Sequence, residues 1–315
     1  MTRCAIAVGV VLLTLVPGSA RAAIVSVDRV EHQAAVEQAA LAQKLAAKDR
    51  RVNRVASRSA ARATHSYDAI APRAALVFDV ATGETLWQLN SAQRMPIASL
   101  TKMMTALIIA DRHQPAETLM ISPKAAHTPG SAIGVLPADK RVPLEPVFVG
   151  MLLVSGNDAA EALAEDDSGT EAAFVQRMNR RARAMGLGCT HYSTPHGLQD
   201  KGNYSCARDV AKLARADLEN PWIRQVADLR KAKFPFPIKG GKLELANNDF
   251  FVQRGLRQIP GSRVTGLKTG YTDPAGRCYV VTATLGGREL GVVLLHSPDP
   301  LTEVPMLLGR AFAGR

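Results

Sequence analysis

The first strongly patterned stretch begins at Ala74. Ala74-Ala75-Leu76-Val77-Phe78-Asp79-Val80 is an apolar run too short for a typical helix, a Thr82-Gly83 turn follows, and Glu84-Thr85-Leu86-Trp87-Gln88-Leu89 is again strand-like, so this segment predicts a β-hairpin. Over residues 99–111 the period changes: Met103, Met104, Leu107 and Ile108 recur at helical spacing, which predicts a helix buried on most sides. Helix-like segments continue at 147–154, 158–164, 171–185 and 206–218, divided by Gly, Pro and Asn clusters. Residues from about 115 to 225 therefore read as an α-helical subdomain. Strand patterns return at 264–269, 277–285 and, after a Gly286-Gly287 turn, 288–295, before a short helix from Leu301. Strands thus lie at both ends of an α/β segment, with helices inserted between them.

Two segments of different character precede this one. Arg3, an apolar run over 5–16 and Ala20-Arg21-Ala22 match the basic region, apolar core and A-x-A site of a secretory signal, with cleavage expected after Ala22. Pro17-Gly18 interrupts the run before it reaches the about 20 apolar residues that a membrane span requires. Residues 23–72 are rich in Ala, Arg, Gln and Lys, with an Arg-studded stretch over 50–62, and read as a basic linker or stalk.

Composition adds three constraints. A chain of 315 residues with 47% hydrophobic residues can bury a large core. Its formal charge of +11 favours polyanionic surroundings, and for an exported chain the anionic cell wall is a better match than nucleic acid. Export also permits disulfides. Cys4 leaves with the signal, and Cys189, Cys206 and Cys278 remain. Residues 189–206 enclose a Pro/Gly-containing excursion whose ends return to one helical block, so Cys189 and Cys206 are expected to pair. Cys278, inside an apolar strand, is expected to stay free. No Cys/His cluster has zinc spacing and no glycine loop is built for phosphate, so neither metal nor cofactor is expected.

The candidate chemistry begins at Pro96-Ile97-Ala98-Ser99-Leu100-Thr101-Lys102. It puts Ser99 at a helix N-terminus and Lys102 one turn on, along the same face. A serine hydroxyl needs a base to take its proton, and lysine serves only if burial or a nearby cation lowers its pKa from about 10.4. Alone, S-x-x-K is weak, and an ordinary serine N-cap is the better reading of it. Two further motifs in order change that: Ser155-Gly156-Asn157 at a break between helical segments, and Lys268-Thr269-Gly270 in a strand. S-x-x-K, S-x-N and K-T-G together are the signature of penicillin-binding proteins and serine β-lactamases. His196-Gly197 invites a histidine triad, but lysine already supplies the base, and Pro195-His196-Gly197 reads as a structural turn.

The words around these motifs carry a closer resemblance. Ile97-Ala98-Ser99-Leu100-Thr101-Lys102-Met103-Met104-Thr105, Ser155-Gly156-Asn157-Asp158-Ala159, His196-Gly197-Leu198, Ser205-Cys206-Ala207-Arg208-Asp209 and Gly266-Leu267-Lys268-Thr269-Gly270-Tyr271-Thr272 resemble the D-alanyl-D-alanine carboxypeptidase family of serine peptidases, over residues 73 to about 300. The resemblance implies a β-lactamase/transpeptidase-like fold, with a five-stranded antiparallel sheet flanked by helices and an inserted α-helical subdomain. The cleft lies between sheet and helices, and the peptidase domain spans 73–315. It implies Ser99 as nucleophile, Lys102 as base, Ser155 as proton relay and Asn157 as an orienting amide. Lys268, Thr269 and Gly270 would bind substrate, with Gly270 letting another backbone approach the strand closely. Peptidoglycan stem peptides are the implied substrate and β-lactam antibiotics the covalent inhibitors.

The pattern also departs from the family. Many members carry an Arg ahead of an Asn and a hydrophobic pair, where this chain has Asn247-Asn248-Asp249-Phe250-Phe251, so one helper for the terminal carboxylate is in doubt. The chain also ends soon after its last helix, as shorter D,D-endopeptidases do, which leaves cross-link cleavage as the alternative. A β-lactamase is disfavoured because no E-x-x-L-N follows Asn157. A non-catalytic wall-binding protein is disfavoured because Ser99 and Lys102 are both intact.

Overall fold

The computed structural model describes residues 72–198 and 202–314. The signal peptide expected at 1–22 and the linker at 23–72, except for Pro72, lie outside the described residues. In chain order the elements are β1 (Ala74–Asp79), β2 (Thr85–Leu89), β3 (Met95–Pro96), a 3₁₀ turn (Ala98–Leu100), α1 (Thr101–Arg112), β4 (Thr118–Ile121), α2 (Pro123–Ala126) and β5 (Lys140–Pro143). There follow α3 (Leu144–Leu153), α4 (Asn157–Ser168), α5 (Glu171–Ala184), β6 (Tyr204–Ser205), α6 (Ala207–Glu219), α7 (Pro221–Ala227), β7 (Lys231–Pro235) and β8 (Lys242–Ala246). The last are α8 (Phe250–Arg254), β9 (Arg263–Thr272), β10 (Gly276–Leu285), β11 (Arg288–Ser297) and α9 (Pro300–Phe312).

The main sheet has five strands in the order β2-β1-β11-β10-β9, every neighbouring pair antiparallel. The N-terminal hairpin is thus joined to the C-terminal strands through β1 and β11, leaving β9 as an edge. Both sheet faces are covered, which explains why β1 is continuously apolar instead of alternating. Ala74, Leu76 and Phe78 face the helical block, while Ala75 and Val77 share a second core with Val304, Leu307 and Leu308 of α9. α1 runs through the larger core, with every residue from Thr101 to Ile109 buried. Among the described residues, no helix is long and apolar enough to cross a membrane.

Several details differ from the sequence pattern. The third helix begins at Leu144, not 147, because Pro146 lies in its first turn, where a missing N–H breaks no helical bond. The helical block also contains the β4/β5 pair. Lys231–Pro235 and Lys242–Ala246 form a hairpin that the sequence reading did not foresee, although Lys242, Leu243, Glu244 and Leu245 alternate between exposed and buried sides.

Cys189 and Cys206 form the expected disulfide, with Cα atoms 5.7 Å apart, and Cys278 is free and buried. Replacing both paired cysteines with alanine is expected to cost roughly 3 kcal/mol by the chain-entropy argument. In a domain of this size that is a fall in Tm of roughly 6–12 °C, read by thermal unfolding. An unchanged Tm would mean that other contacts already fix the excursion.

Candidate active site

The antiparallel bridge between β3 and β6 leads the chain into the 3₁₀ turn that carries Ser99. Ser99 caps nothing: the residue preceding α1 is Leu100, with no side-chain cap. Ala98 just before it has φ +47°, a conformation costly for a residue with a Cβ and characteristic of functional turns held by their surroundings. Ser155, between α3 and α4, has φ +61°, and α4 too starts without a side-chain cap. The hydroxyls of Ser99 and Ser155 are thus not spent as helix caps.

Lys102 joins two of the motifs. It is fully buried, and its Nζ lies 2.9 Å from Ser99 Oγ, 2.7 Å from Asn157 Oδ1 and 2.9 Å from the His196 carbonyl oxygen. Asn157 Nδ2 donates to the Pro129 carbonyl at 2.7 Å, which fixes which end of the amide faces the lysine. Burial first, and then the charge of Lys268, hold the Lys102 ammonium well below its ordinary pKa, against an opposing pull from Asp158.

Lys268 joins the third motif to the second. Its Nζ donates to Ser155 Oγ at 3.0 Å and to the Thr269 carbonyl at 2.9 Å, and only 2% of the residue is exposed. Burial lowers its pKa to about 8, with Asp249 pulling the other way. Gly270 lies on β9 directly against the nucleophile turn. A Cβ there would come within 2.8 Å of Ser99 N, so a larger residue would force strand and turn apart.

These residues border one cavity of about 310 Å³, lined by Ser99, Ser131, Ser155, Asn248, Thr269, Gly270 and the β9 and β10 residues Tyr271, Arg277 and Tyr279. Lys102 and Lys268 lie beneath this surface, and Arg277 stands on the wall, its Nη1 donating to the Pro298 carbonyl at 3.1 Å. Arg277 was not singled out in the sequence. Nine positions after Lys268 it carries no motif, and only the β9/β10 register, Arg277 opposite Tyr271, brings it to the cavity.

His196 lies in the turn that Pro195-His196-Gly197 predicts, and its ring Nδ1 accepts from Leu198 N at 3.0 Å, so the ring takes no part in a triad. Burial foremost, then the Lys102 and Lys124 charges, lower its pKa to about 3, so it is neutral. What meets Lys102 is its backbone carbonyl, which no side-chain pattern reveals. The next residue explains the glycine there: a Cβ on Gly197 would sit 2.0 Å from the Ala98 carbonyl oxygen. Ligand atoms of Glu161, Glu171 and His196 lie within 4.8 Å of one another. The Lys124 ammonium, however, bonds Glu161 and lies 2.6 Å from Glu171, so this cluster is chemically a salt-bridged lysine.

A model of the D-alanyl-D-alanine carboxypeptidase family matches residues 60–299. The D-alanyl-D-alanine carboxypeptidase DacF of Bacillus subtilis is 31% identical over 252 residues, covering 76% of this chain and 62% of that protein. A D-alanyl-D-alanine endopeptidase of Pseudomonas aeruginosa is 31% identical over 231 residues, covering 72% of each. The solved structure of a D-alanyl-D-alanine carboxypeptidase from Mycobacterium tuberculosis matches with a TM-score of 0.71 at 28% identity, covering 79% of this chain and 95% of that one. The chain spans only 53–62% of the length of the first curated carboxypeptidases it matches. Because the family match runs through all three motifs, and the fold brings those motifs to one cavity, the chain belongs to the D-alanyl-D-alanine carboxypeptidase family.

Proposed function

We propose that the protein is a penicillin-sensitive serine D-Ala-D-Ala carboxypeptidase that trims peptidoglycan stem peptides through a Ser99 acyl-enzyme. The hydrogen-bond balance at Lys102 carries this reading. An ammonium donates three bonds, whereas a neutral amine donates two and accepts one. Asn157 Oδ1 and the His196 carbonyl only accept, and together they take two N–H groups. With Lys102 neutral, its lone pair is left for the third neighbour, the Ser99 hydroxyl, which is the geometry of a general base.

In the proposed reaction Ser99 Oγ attacks the carbonyl of the penultimate D-alanine as its proton passes to Lys102. The N–H of Ser99 and that of Tyr271, just past Gly270, receive the developing oxyanion. Ser155 already accepts from Lys268, so its own O–H is available to protonate the leaving amine. D-Alanine departs, and water then hydrolyses the ester to release the trimmed peptide and free Ser99. A β-lactam acylates the same serine. Asn157 holds the base in line, while Thr269 and Gly270 offer the β9 edge to the peptide.

The cations divide the remaining work. Lys268 keeps positive charge under the cavity, and Arg277 is placed to meet the terminal carboxylate directly. Arg277→Gln is accordingly expected to raise KM for a free-carboxylate pentapeptide by about tenfold to a hundredfold with a smaller change in kcat. An unaltered KM would remove Arg277 from the substrate site.

The same reading has residues 1–22 exporting the chain and being cleaved after Ala22. The basic linker 23–72 then precedes a peptidase domain at 73–315, in the periplasm or cell wall. The full chain's formal charge is +11, of which only Arg3 and Arg21 leave with residues 1–22, and the basic balance that remains suits an anionic wall. The endopeptidase relative, matched over 72% of its own length, supports cross-link cleavage as a second reading. The deciding experiment incubates purified sacculi and a pentapeptide with wild type and with Ser99→Ala, alongside labelling by fluorescent penicillin. Released D-alanine and a label that vanishes in Ser99→Ala support the carboxypeptidase. Opened cross-links without D-alanine support the endopeptidase, and no label at all overturns both.

A further inference from the structure

Away from the catalytic cavity, a second cavity of about 320 Å³ opens between the C-terminal ends of α1 and α5. It lies roughly 15 Å along α1 from Lys102, at 1.5 Å per residue. Arg177, Arg180, Arg181 and Ala184 line it from α5, at i, i+3, i+4 and i+7, a single stripe of that helix. Ile108, Asp111 and Arg112 line it from α1.

The arginines are held from behind. The Asp167 side chain, wholly buried, accepts from Arg112 Nε on one oxygen at 2.5 Å, and its other oxygen forms an ion pair with Arg177, whose Nε lies 3.0 Å away and donates to Ser168 Oγ at 3.3 Å. Both guanidiniums are therefore gripped through Nε, and among the described residues their Nη atoms make no hydrogen bond. Arg181 reaches Asp111 at 2.8 Å, and Arg180 meets no acidic side chain among the described residues. Four guanidiniums stand against two carboxylates, leaving two net positive charges over an apolar floor of Ile108 and Ala184. Charge balance alone gives no reason to place two arginines on one buried carboxylate and a third beside them without one.

We infer that this cleft binds a phosphoester anion, of the kind carried by a phospholipid headgroup or a soluble glycerophosphate. The Nη groups of Arg112 and Arg177 face the phosphate together with Arg180, and the adjoining alkyl part rests on Ile108 and Ala184. Guanidinium forks match phosphate oxygens bidentately, and anchoring their Nε on a buried carboxylate removes rotamer freedom that binding would otherwise have to remove. The site is independent of the chemistry at Ser99. It would hold the enzyme against a phosphate-bearing surface or molecule while the catalytic cavity stays open.

The test uses the full chain and two variants with the same charge change. One is Arg112→Gln with Arg180→Glu in the cleft. The other is Lys242→Gln with Lys231→Glu on the exposed β7/β8 hairpin. Each is titrated with glycerol 3-phosphate by calorimetry and with vesicles of phosphatidylglycerol and phosphatidylcholine by sedimentation, with pure phosphatidylcholine as blank. The expected result is saturable binding that weakens by at least about tenfold in the cleft variant and stays within about twofold in the hairpin variant, with penicillin acylation unchanged in both. Binding to vesicles alone assigns the headgroup, and comparable binding of glycerol 3-phosphate assigns a soluble phosphoester. Equal losses in the two variants would reduce the effect to the chain's overall charge and overturn the proposal, as would wild type that binds neither ligand at millimolar concentration. Should thermal unfolding show the double cleft variant to be destabilised, Arg180→Glu alone, at an exposed position, serves the same comparison.

Discussion

Replacing Lys102 with arginine is expected to slow penicillin acylation of Ser99 on the order of a thousandfold while the protein remains folded. The argument is one of proton capacity. Lysine in this position is held well below its ordinary pKa by burial and by Lys268, which favours the neutral amine that the proposed reaction needs to accept the serine proton. Arginine keeps a positive charge and similar reach but has no accessible neutral form. Its guanidinium still finds Asn157 Oδ1 and the His196 carbonyl as acceptors, but it must stay charged where burial and Lys268 disfavour a second cation, so a lower Tm is expected beside the loss of rate. The measurement is the rate of fluorescent-penicillin labelling, with circular dichroism as the check on folding. Near wild-type labelling would mean that lysine acts only as a charge, and that another group, Ser155 with water as first candidate, takes the proton.

Removing the charge at Lys268 is expected to slow acylation by both penicillin and peptide by about a hundredfold, without lowering Tm. Its stability effect follows from linkage. A lysine whose pKa falls from 10.5 to about 8 on folding binds its proton less well in the folded state. The unfolded chain therefore holds more protons between pH 8 and 10.5, and stability rises with pH across that window. At neutral pH the buried cation costs up to about 3 kcal/mol, from about 1.4 kcal/mol for each pH unit between the two values. Lys268→Ala removes that cost and loses two hydrogen bonds of roughly 1 kcal/mol each, so the two effects roughly offset. The pH profile adds a second readout. Acylation in wild type should rise as Lys102 loses its proton and fall through about pH 8 as Lys268 loses its own; in Lys268→Ala the descending limb should vanish and the ascending limb should move to higher pH, because the charge that depresses Lys102 is gone. A large fall in Tm with normal acylation would make Lys268 structural.

The groups that meet at the candidate site are legible in the sequence where they are side chains at short spacing. Ser99 and Lys102 lie three residues apart on one helical turn, and that spacing alone puts hydroxyl and amine within reach. The sheet strands were legible from their apolar runs, and the disulfide from the excursion it closes. Less legible were features with no side-chain signal. The His196 carbonyl is backbone, and the strained φ of Ala98 and Ser155 belongs to residues that do not ordinarily adopt it. The β7/β8 strands do alternate, but each is only five residues long and β7 buries no side chain fully, which leaves a weak sequence signal beside the longer strands. Arg277 became visible only through the register of β10 on β9.

Side-chain identity alone names the groups that the candidate site can hold: a hydroxyl, two lysines, a second serine, an amide and a glycine, in three motifs spread over residues 99–270. What the tertiary structure decided is which of them touch and what state that contact imposes. Asn157 is 55 residues from Lys102 and Ser155 is 113 from Lys268, yet each pair is within 3.0 Å. Burying both amines in one dry pocket lowers both pKa values, and the charge of Lys268 lowers that of Lys102 further, since lost hydration and repulsion depend on burial and distance, and neither is a property of a residue taken singly.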